Sequence, residues 1–331
     1  MNDSYSGKNG KVKVMYVRNN DSNTTNDRRK NKHLSAKNKK SSSRRSDRNN
    51  ERLTDDPWKA ISQRRDPVNS HSGISGKSLL DPEQIRRQRL EETRIYGEHA
   101  CQAMFKHRPE AIVRAWFVQS ITPHFRDALK WMAANRKAYH VVNEEELIKA
   151  SGTEHHGGVC FLIKKRTGLD AEAYLAQSNK IDCVLAVEDI GNPHNLGAIM
   201  RSCAHFGVQG IILHDTAAME SGSAVRTAAG GAEYIKGIQS DNFATTLNKF
   251  RHAGYIIVTT SNHKDNIDIA KAVLPEKIVL LLEQESDGLT ASLCQKGDMS
   301  LSIGGTGQVK SLNVSVAAGI ILAKWWQQNK I

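Results

Sequence analysis

The chain has 331 residues, of which 47 are Lys or Arg and 35 Asp or Glu, for a formal net charge of +12. That length predicts about two domains plus an appendage. No apolar run approaches the roughly 18 residues of a membrane span, and five cysteines without a C-x-x-C pair make no disulfide framework, so a soluble cytoplasmic protein with reduced, buried thiols is expected.

The charge is concentrated at one end. Residues 1–89 carry 22 basic against 10 acidic side chains, and the remainder carries 25 of each. Arg28-Arg29-Lys30, Lys39-Lys40, Arg44-Arg45 and Arg64-Arg65 lie among Asn and Ser with almost no aliphatic periodicity. Such a stretch cannot bury enough apolar surface to offset its ordering entropy. Residues 1–82 are therefore expected to form a disordered basic tail. A polycation of this kind favours phosphate backbones with salt-sensitive, sequence-independent affinity. RNA is the expected partner and a solubility tail the alternative; a membrane surface is disfavoured because no amphipathic apolar face accompanies the charge.

Order is expected from Asp81-Pro82-Glu83 onward. Glu83 to Tyr96 reads as a charged helix, and a helical pattern follows around Ala100, Met104 and Phe105. Ile112–Val118 alternates as a strand. Phe125, Leu129, Met132 and Ala133 have helical spacing, Tyr139–Val142 reads as a strand, Asn143-Glu-Glu-Glu-Leu147 as a helix start and Val159–Ile163 as another strand. Residues 83–165 thus form a small α/β unit. The pair His155-His156 lacks the spacing and acidic partners of a zinc site, so it reads as a loop or an RNA-contacting turn, and no metal is expected. Residues 166–182 read as a linker.

From residue 183 to 331, strands at 184–187, 210–213, 234–235, 255–258, 278–282 and 299–301 alternate with helical segments. Continuous apolar strands are buried on both faces, which predicts a mostly parallel sheet with helices on each side. Ligands on such sheets sit beyond the carboxyl ends of the strands. The loops after Val187, Leu282 and Leu301 are therefore the candidate site.

In the first loop, Asn192-Pro193 marks a turn and Asn195 reads as the N-cap of a helix whose apolar face is Leu196, Ile199, Cys203 and Phe206, ending at Gly207. Arg201 falls opposite that face. The second loop crowds Glu283, Glu285 and Asp287 beside Gly288. The third sets Gly304, Gly305 and Gly307 ahead of an apolar helix opening on Ser311 and Asn313, where bare backbone and a helix N-terminus meet. No G-x-x-x-x-G-K-[ST] or G-x-G-x-x-G occurs, so ATP and NAD are disfavoured.

Asn195-x-Gly197-x3-Arg201, Glu285-x2-Gly288-Leu289, and Ile303-x8-Leu312 with Ser311-Leu312-Asn313-Val314-Ser315 resemble motifs 1, 2 and 3 of the SpoU (TrmH) family of the SPOUT class. Tyr96-Gly97-Glu98-His99-Ala100 and His156-Gly157-Gly158-Val159 resemble the small domain, similar to ribosomal protein L30, that precedes the catalytic domain in several ribosomal-RNA ribose methyltransferases. The resemblance implies a C-terminal trefoil knot, a homodimer, and methyl transfer from S-adenosylmethionine to a ribose 2′-hydroxyl of rRNA or tRNA. It implies catalytic roles for Arg201, Asn195, Glu285, Ser311 and Asn313, and donor contacts at Glu283, Gly288, Ile303 and Leu312. A guanidinium is a poor base, so Arg201 is expected to grip phosphate and stabilise the developing alkoxide. Two positions depart from the family pattern: Glu283 stands where a glycine is usual, and Gly304-Gly305 follows Ile303 where Pro-Met is usual. A non-catalytic RNA-binding relative with weakened donor affinity is the alternative reading.

Overall fold

The computed structural model describes residues 82–188, 190–260, 266–282, 297–309 and 311–329. The basic tail lies outside them apart from Pro82, and so do Cys294 and the acidic loop bearing Glu283, Glu285 and Gly288.

The first sheet contains β1 (Glu92–Tyr96), β2 (Ile112–Val118), β3 (Ala138–Val142) and β4 (Val159–Lys164) in the order β1-β4-β2-β3. Strands β2 and β3 are parallel and the other two pairs antiparallel. The expected helix over Glu83–Tyr96 is shorter than predicted: α1 (Pro82–Glu91) stops and β1 begins. Pairing decides this, because Ile95 lies opposite Phe161 and is fully buried there. Tertiary context overrides a helix-favouring composition. Helices α2 (Glu98–His107), α3 (Arg126–Ala134) and α4 (Glu144–Ser151) fall where expected. Asn143 caps α4 by accepting from Glu146 N, and Gly152 ends it in the left-handed conformation.

One face of this sheet is closed. Ile95, Ala115, Phe117, Phe161 and Ile163 pack with Met104 of α2 and Met132 of α3. On the other face, α4 sets Leu147 against Val118 and Cys160, with Tyr96, Trp116 and Val142 half-buried around them, and leaves Arg94, Arg114, Ala138 and His140 exposed. The two segments that suggested an L30-like unit meet: Gly97 N donates to His156 O at 3.0 Å. His156 itself is buried, with Nδ1 accepting from Gly158 N at 3.1 Å and Nε2 lying 3.3 Å from Glu144 Oε2.

The stretch 166–182, expected as a linker, contains α5 (Ala171–Leu175), capped by Asp170. Beyond it stands a seven-stranded sheet with every pair parallel. Its strands are β5 (Asp182–Val187), β6 (Gly210–Leu213), β7 (Lys236–Gln239), β8 (Ile256–Thr260), β9 (Ile267–Asp268), β10 (Lys277–Leu282) and β11 (Met299–Ser302). Their order is β7-β6-β5-β10-β8-β11-β9. Tyr234-Ile235, expected as a strand, closes a 3₁₀ turn over Gly231–Tyr234 before β7. The short β9 has no counterpart in the sequence reading.

Alternation along β5 sends Cys183, Leu185 and Val187 to one face and Val184 and Ala186 to the other. Helices α6 (Pro193–His205), α7 (Gly222–Ala228) and α9 (Val314–Asn329) cover the first face. The second is covered by α5 and α8 (Phe243–His252), through Tyr174, Leu247 and Phe250. Both faces are dry, as continuous apolar strands require. The trefoil knot implied by the family depends on the path through 283–296, which lies outside the described residues.

Helix α7 joins the two sheets. A Cβ added at Gly222 would lie 2.5 Å from Arg94 O on β1, and one at Gly197 of α6 would lie 2.5 Å from Ala224 O on α7. Both approaches need glycine. Beneath them lies an ion cluster that no sequence motif announced. Arg108 donates to Glu233 Oε2 at 2.8 Å and to Glu220 Oε2 at 2.9 Å, while Arg166 donates to Glu220 Oε1 at 2.7 Å. Burial opposes the charge on Arg108, but the hydrogen bonds and charges of Glu233 and Glu220 outweigh it and raise its pKa.

Candidate active site

Because the second sheet is wholly parallel, the carboxyl ends of β5, β10 and β11 open on one edge. The three candidate loops leave the sheet there.

Helix α6 is capped one turn earlier than expected. Asn192, not Asn195, is the N-cap: its side chain accepts from His194 N at 2.9 Å, and Pro193 takes the first helical position. Proline fits there because its fixed φ suits the helix and its missing N–H would have no partner anyway. Asn195 is thereby left free in the first turn. Its Oδ1 accepts from Asn313 Nδ2 at 3.1 Å, across 118 residues of sequence. Asn313 Oδ1 accepts in turn from Ser315 N at 2.9 Å and Ser315 Oγ at 2.6 Å. Helix α9 consequently starts at Val314 rather than at Ser311. The carboxamide of Asn313 thus caps one helix and touches another.

The rest of α6 follows the sequence reading. Leu196, Ile199 and Cys203 are buried, Phe206 is half-buried, and Gly207 ends the helix with φ 74°. Arg201 is exposed on the opposite side and makes no hydrogen bond or ion pair among the described residues. It lies six residues, or about 9 Å of helix axis, beyond Asn195. His194 Nδ1 lies 3.1 Å from Thr227 Oγ1, which fixes the start of α6 on α7.

In the third loop Ile303 is half-buried against the core, whereas Ser311, Leu312 and Asn313 are exposed. Among the described residues, no main-chain hydrogen bond joins two backbone groups between Ile303 and Leu312. A Cβ at Gly305 would meet nothing within 4 Å, one at Gly304 would approach Asp268 Oδ2 at 3.3 Å, and Gly307 has φ 77°. Apart from Gln308 N, which donates to Thr306 Oγ1 at 3.5 Å, the described residues of the loop show no backbone partner beside the helix start. The structure therefore brings Asn195 and Asn313 together, with Ser311 exposed two residues before Asn313. It places Ile303 and Leu312 at the two ends of one loop and Arg201 farther along α6; Glu283, Glu285 and Gly288 lie outside the described residues. Sequence reasoning missed Thr227 and the ion cluster, whose partners are too distant in sequence to form a local pattern.

Comparison with known proteins agrees with this geometry. Residues 182–323 match the SpoU rRNA Methylase family, and residues 94–168 match the domain described as RNA 2′-O ribose methyltransferase substrate binding. An Escherichia coli O157:H7 protein described as an uncharacterised tRNA/rRNA methyltransferase, YfiF, is 53% identical over 100% of both chains. The 23S rRNA (guanosine-2′-O-)-methyltransferase RlmB of Shewanella oneidensis is 32% identical, with 71% of this chain and 97% of that protein covered. Among solved structures, an AdoMet-bound rRNA methyltransferase from Sinorhizobium meliloti aligns with a TM-score of 0.60 at 20% identity, covering 74% of this chain and 90% of that one.

The residues present fit an adenosyl donor. Such a group can be held by main-chain N–H and C=O groups where no Cβ intervenes, and the segment from Ile303 to Leu312 offers both. With motifs 1 and 3 joined by a hydrogen bond at the open edge of the parallel sheet, and with the family matches over both halves, the chain belongs to the SpoU rRNA methylase family of S-adenosylmethionine-dependent RNA methyltransferases.

Proposed function

We propose that the protein methylates a ribose 2′-hydroxyl of ribosomal RNA. The observation that carries this reading is the Asn195–Asn313 hydrogen bond, which brings the motif 1 helix to the start of the motif 3 helix. The substrate-binding match over residues 94–168 and the similarity to 23S rRNA guanosine methyltransferases support a ribosomal target. S-adenosylmethionine supplies the methyl group as a sulfonium. The backbone of Ile303 and Leu312, with Glu283 and Gly288 of the second loop, would hold it beside α9.

The remaining work falls to side chains. Transfer needs the ribose oxygen aligned behind the methyl group, and alignment of two reactants is worth several kcal/mol of barrier. Asn195 and Asn313, locked to each other, offer an amide edge fixed in position. Ser311 places a hydroxyl in the same exposed segment, and Glu285 would orient the nucleotide. Arg201 carries a cation without a partner among the described residues. That suits it to grip the neighbouring phosphate and to stabilise the alkoxide as the proton leaves.

Two copies would complete the site. Val316, Ile320 and Trp326 of α9 are 49%, 38% and 39% exposed, and Trp326 lies 6.4 Å from Phe206 of α6. This exposed apolar surface of α9, beside Phe206, suits a homodimer. The basic tail adds a salt-sensitive grip on RNA. None of the described helices is long and apolar enough to cross a membrane, and a cytoplasmic site of action accords with a ribosomal substrate.

The test is a pair of measurements on the full chain. Calorimetric titration with S-adenosylmethionine should give saturable heat, and Arg201→Ala should abolish methyl transfer to ribosomal RNA with donor affinity nearly intact. Absence of heat at millimolar donor would sink the reading, and equal loss of transfer and donor affinity would remove the role given to Arg201.

A further inference from the structure

The outer face of the four-stranded sheet carries only a small apolar cluster, Leu147 of α4 on Val118 and Cys160, and leaves a row of polar side chains exposed beside it. Register places Arg94, Leu162, Arg114 and Ala138 in one row across it, and Tyr96, Cys160, Trp116 and His140 in the next. Arg94, Arg114 and His140 are exposed, and Tyr96 and Trp116 are half-buried at the margin of the α4 cluster, which buries Cys160 between them. The aromatic groups are already arranged for stacking. Trp116 and His140 lie 6.3 Å apart with planes 25° from parallel, and the Arg114 guanidinium stands 5.9 Å from the Trp116 ring centre. Flat rings interleaved with cations are what unpaired bases and their phosphates require.

A chain of contacts links this face to the Asn195–Asn313 junction. At the β1 edge, the Tyr96 ring packs on Gly222 of α7, where an added Cβ would be 2.6 Å from Tyr96 Cε1. Arg226 of α7 is exposed, and its Cγ would lie 3.3 Å from a Cβ at Gly97. The next residue, Thr227, lies 3.1 Å from His194, and the residue after that is Asn195, bonded to Asn313. Each step of the path rests on a contact or a chain neighbour.

We propose that the outer face of the sheet, with Arg226 as the bridge, is the track along which a single-stranded segment of the substrate RNA runs to the methyl site. Bases stack on Trp116 and His140, Arg94 and Arg114 take backbone phosphates, and Arg226 carries the strand past Tyr96 onto α6. The proposal rests on the RNA methyltransferase reading and extends it to the path the substrate follows. The track's cations are permanent, so its contribution to affinity is set by salt.

Ultraviolet cross-linking of the full chain to a ribosomal-RNA hairpin with a single-stranded loop, followed by mass spectrometry, should map cross-links to Tyr96, Trp116 and His140. In anisotropy titrations between about 50 and 250 mM salt, Arg94→Glu with Arg114→Glu should weaken binding by about tenfold or more. Arg226→Glu should lower the salt slope by about one. Lys249→Glu, on α8 across the other sheet, is the control and should change affinity less than about twofold. Arg114→Lys should restore most phosphate affinity but not the stacking cross-link at Trp116, and donor calorimetry and melting temperature should be unchanged in all four. Cross-links confined to residues 1–81, Glu variants no weaker than the Lys249→Glu control, or an acidic peptide that binds this face in preference to RNA would each overturn the proposal. These readouts need no methyl transfer, so they stand apart from a failure of the catalytic reading.

Discussion

Replacing Gly197 with alanine tests how closely α6, α7 and β1 are stacked. The new Cβ would meet Ala224 O at 2.5 Å and Thr227 Cβ at 2.6 Å, about 1 Å inside ordinary contact. Helix α7 cannot retreat, because a Cβ at Gly222 on its far side would already lie 2.5 Å from Arg94 O. The shift must therefore fall on α6 and carry Asn195 with it. Overpacking costs about 1–3 kcal/mol, here about 2–3 because the 2.5 Å contact is with a backbone oxygen that cannot swing aside, and the better helix propensity of alanine offsets about 1 kcal/mol. We expect Gly197→Ala to be about 1–2 kcal/mol less stable, which for a chain of this size lowers Tm by about 2–8 °C. Urea and thermal unfolding followed by tryptophan fluorescence would read it. Gly305→Ala is the control, since a Cβ there meets nothing within 4 Å. A Gly197→Ala midpoint equal to or above the wild-type value would refute the tight stacking and the mechanical link to Asn195.

Arg108→Met should destabilise the fold by about 3–5 kcal/mol, because Glu220 and Glu233 are left buried with Arg166 as their remaining arginine partner; adding Glu220→Gln and Glu233→Gln should recover much of this in urea melts, and no recovery would mean that packing, not charge, holds the joint. Asp182 is raised above its usual 3.8, chiefly by burial and against the Tyr255 and Tyr174 hydroxyls that bond it. A carboxyl raised in the folded state binds its proton more readily there than in the unfolded chain, so stability falls as pH climbs from about 4 through the raised value. Asp182→Asn should remove that fall, and a wild-type-to-variant difference that is flat with pH would contradict it. Cys101, Cys160, Cys183 and Cys203 are buried, and burial pushes the Cys160 thiol up to about 12. A Cys294→Ser variant should thus show no thiol reactive toward a disulfide reagent at pH 8 until it is unfolded, and fast labelling of any of the four would place that residue at the surface.

How much was legible depends on the range of each interaction. The apolar face of α6, its stop at Gly207 and the buried strands β5 and β10 are written in local spacing, and they stand as read. The motif glycine at 197 was visible, but its purpose was not, since only the position of Ala224 shows why a side chain cannot fit. Capping of α6 was misplaced by three residues because Asn192 and Asn195 are equally good caps by type. Pro193 decides between them through geometry. The start of β1 was hidden because its partner, β4, lies more than 60 residues away. Arg108 and Glu233 are separated by 125 residues and look like ordinary surface charges in sequence. Pairing at that distance leaves no local trace.

The bond between Asn195 and Asn313 also sets a timetable. A chain emerging from its N-terminus can complete the four-stranded sheet and α6 before Asn313 is joined. The Asn195–Asn313 junction cannot exist at that stage, because Asn313 leads into α9, and α9 is anchored by Trp325, which is fully buried and donates from Nε1 to Pro275 O at 3.0 Å. Contacts that span so much of the chain form slowly. A copy ended before Asn313 would thus hold its four-stranded sheet and α6 with Asn195 lacking its partner.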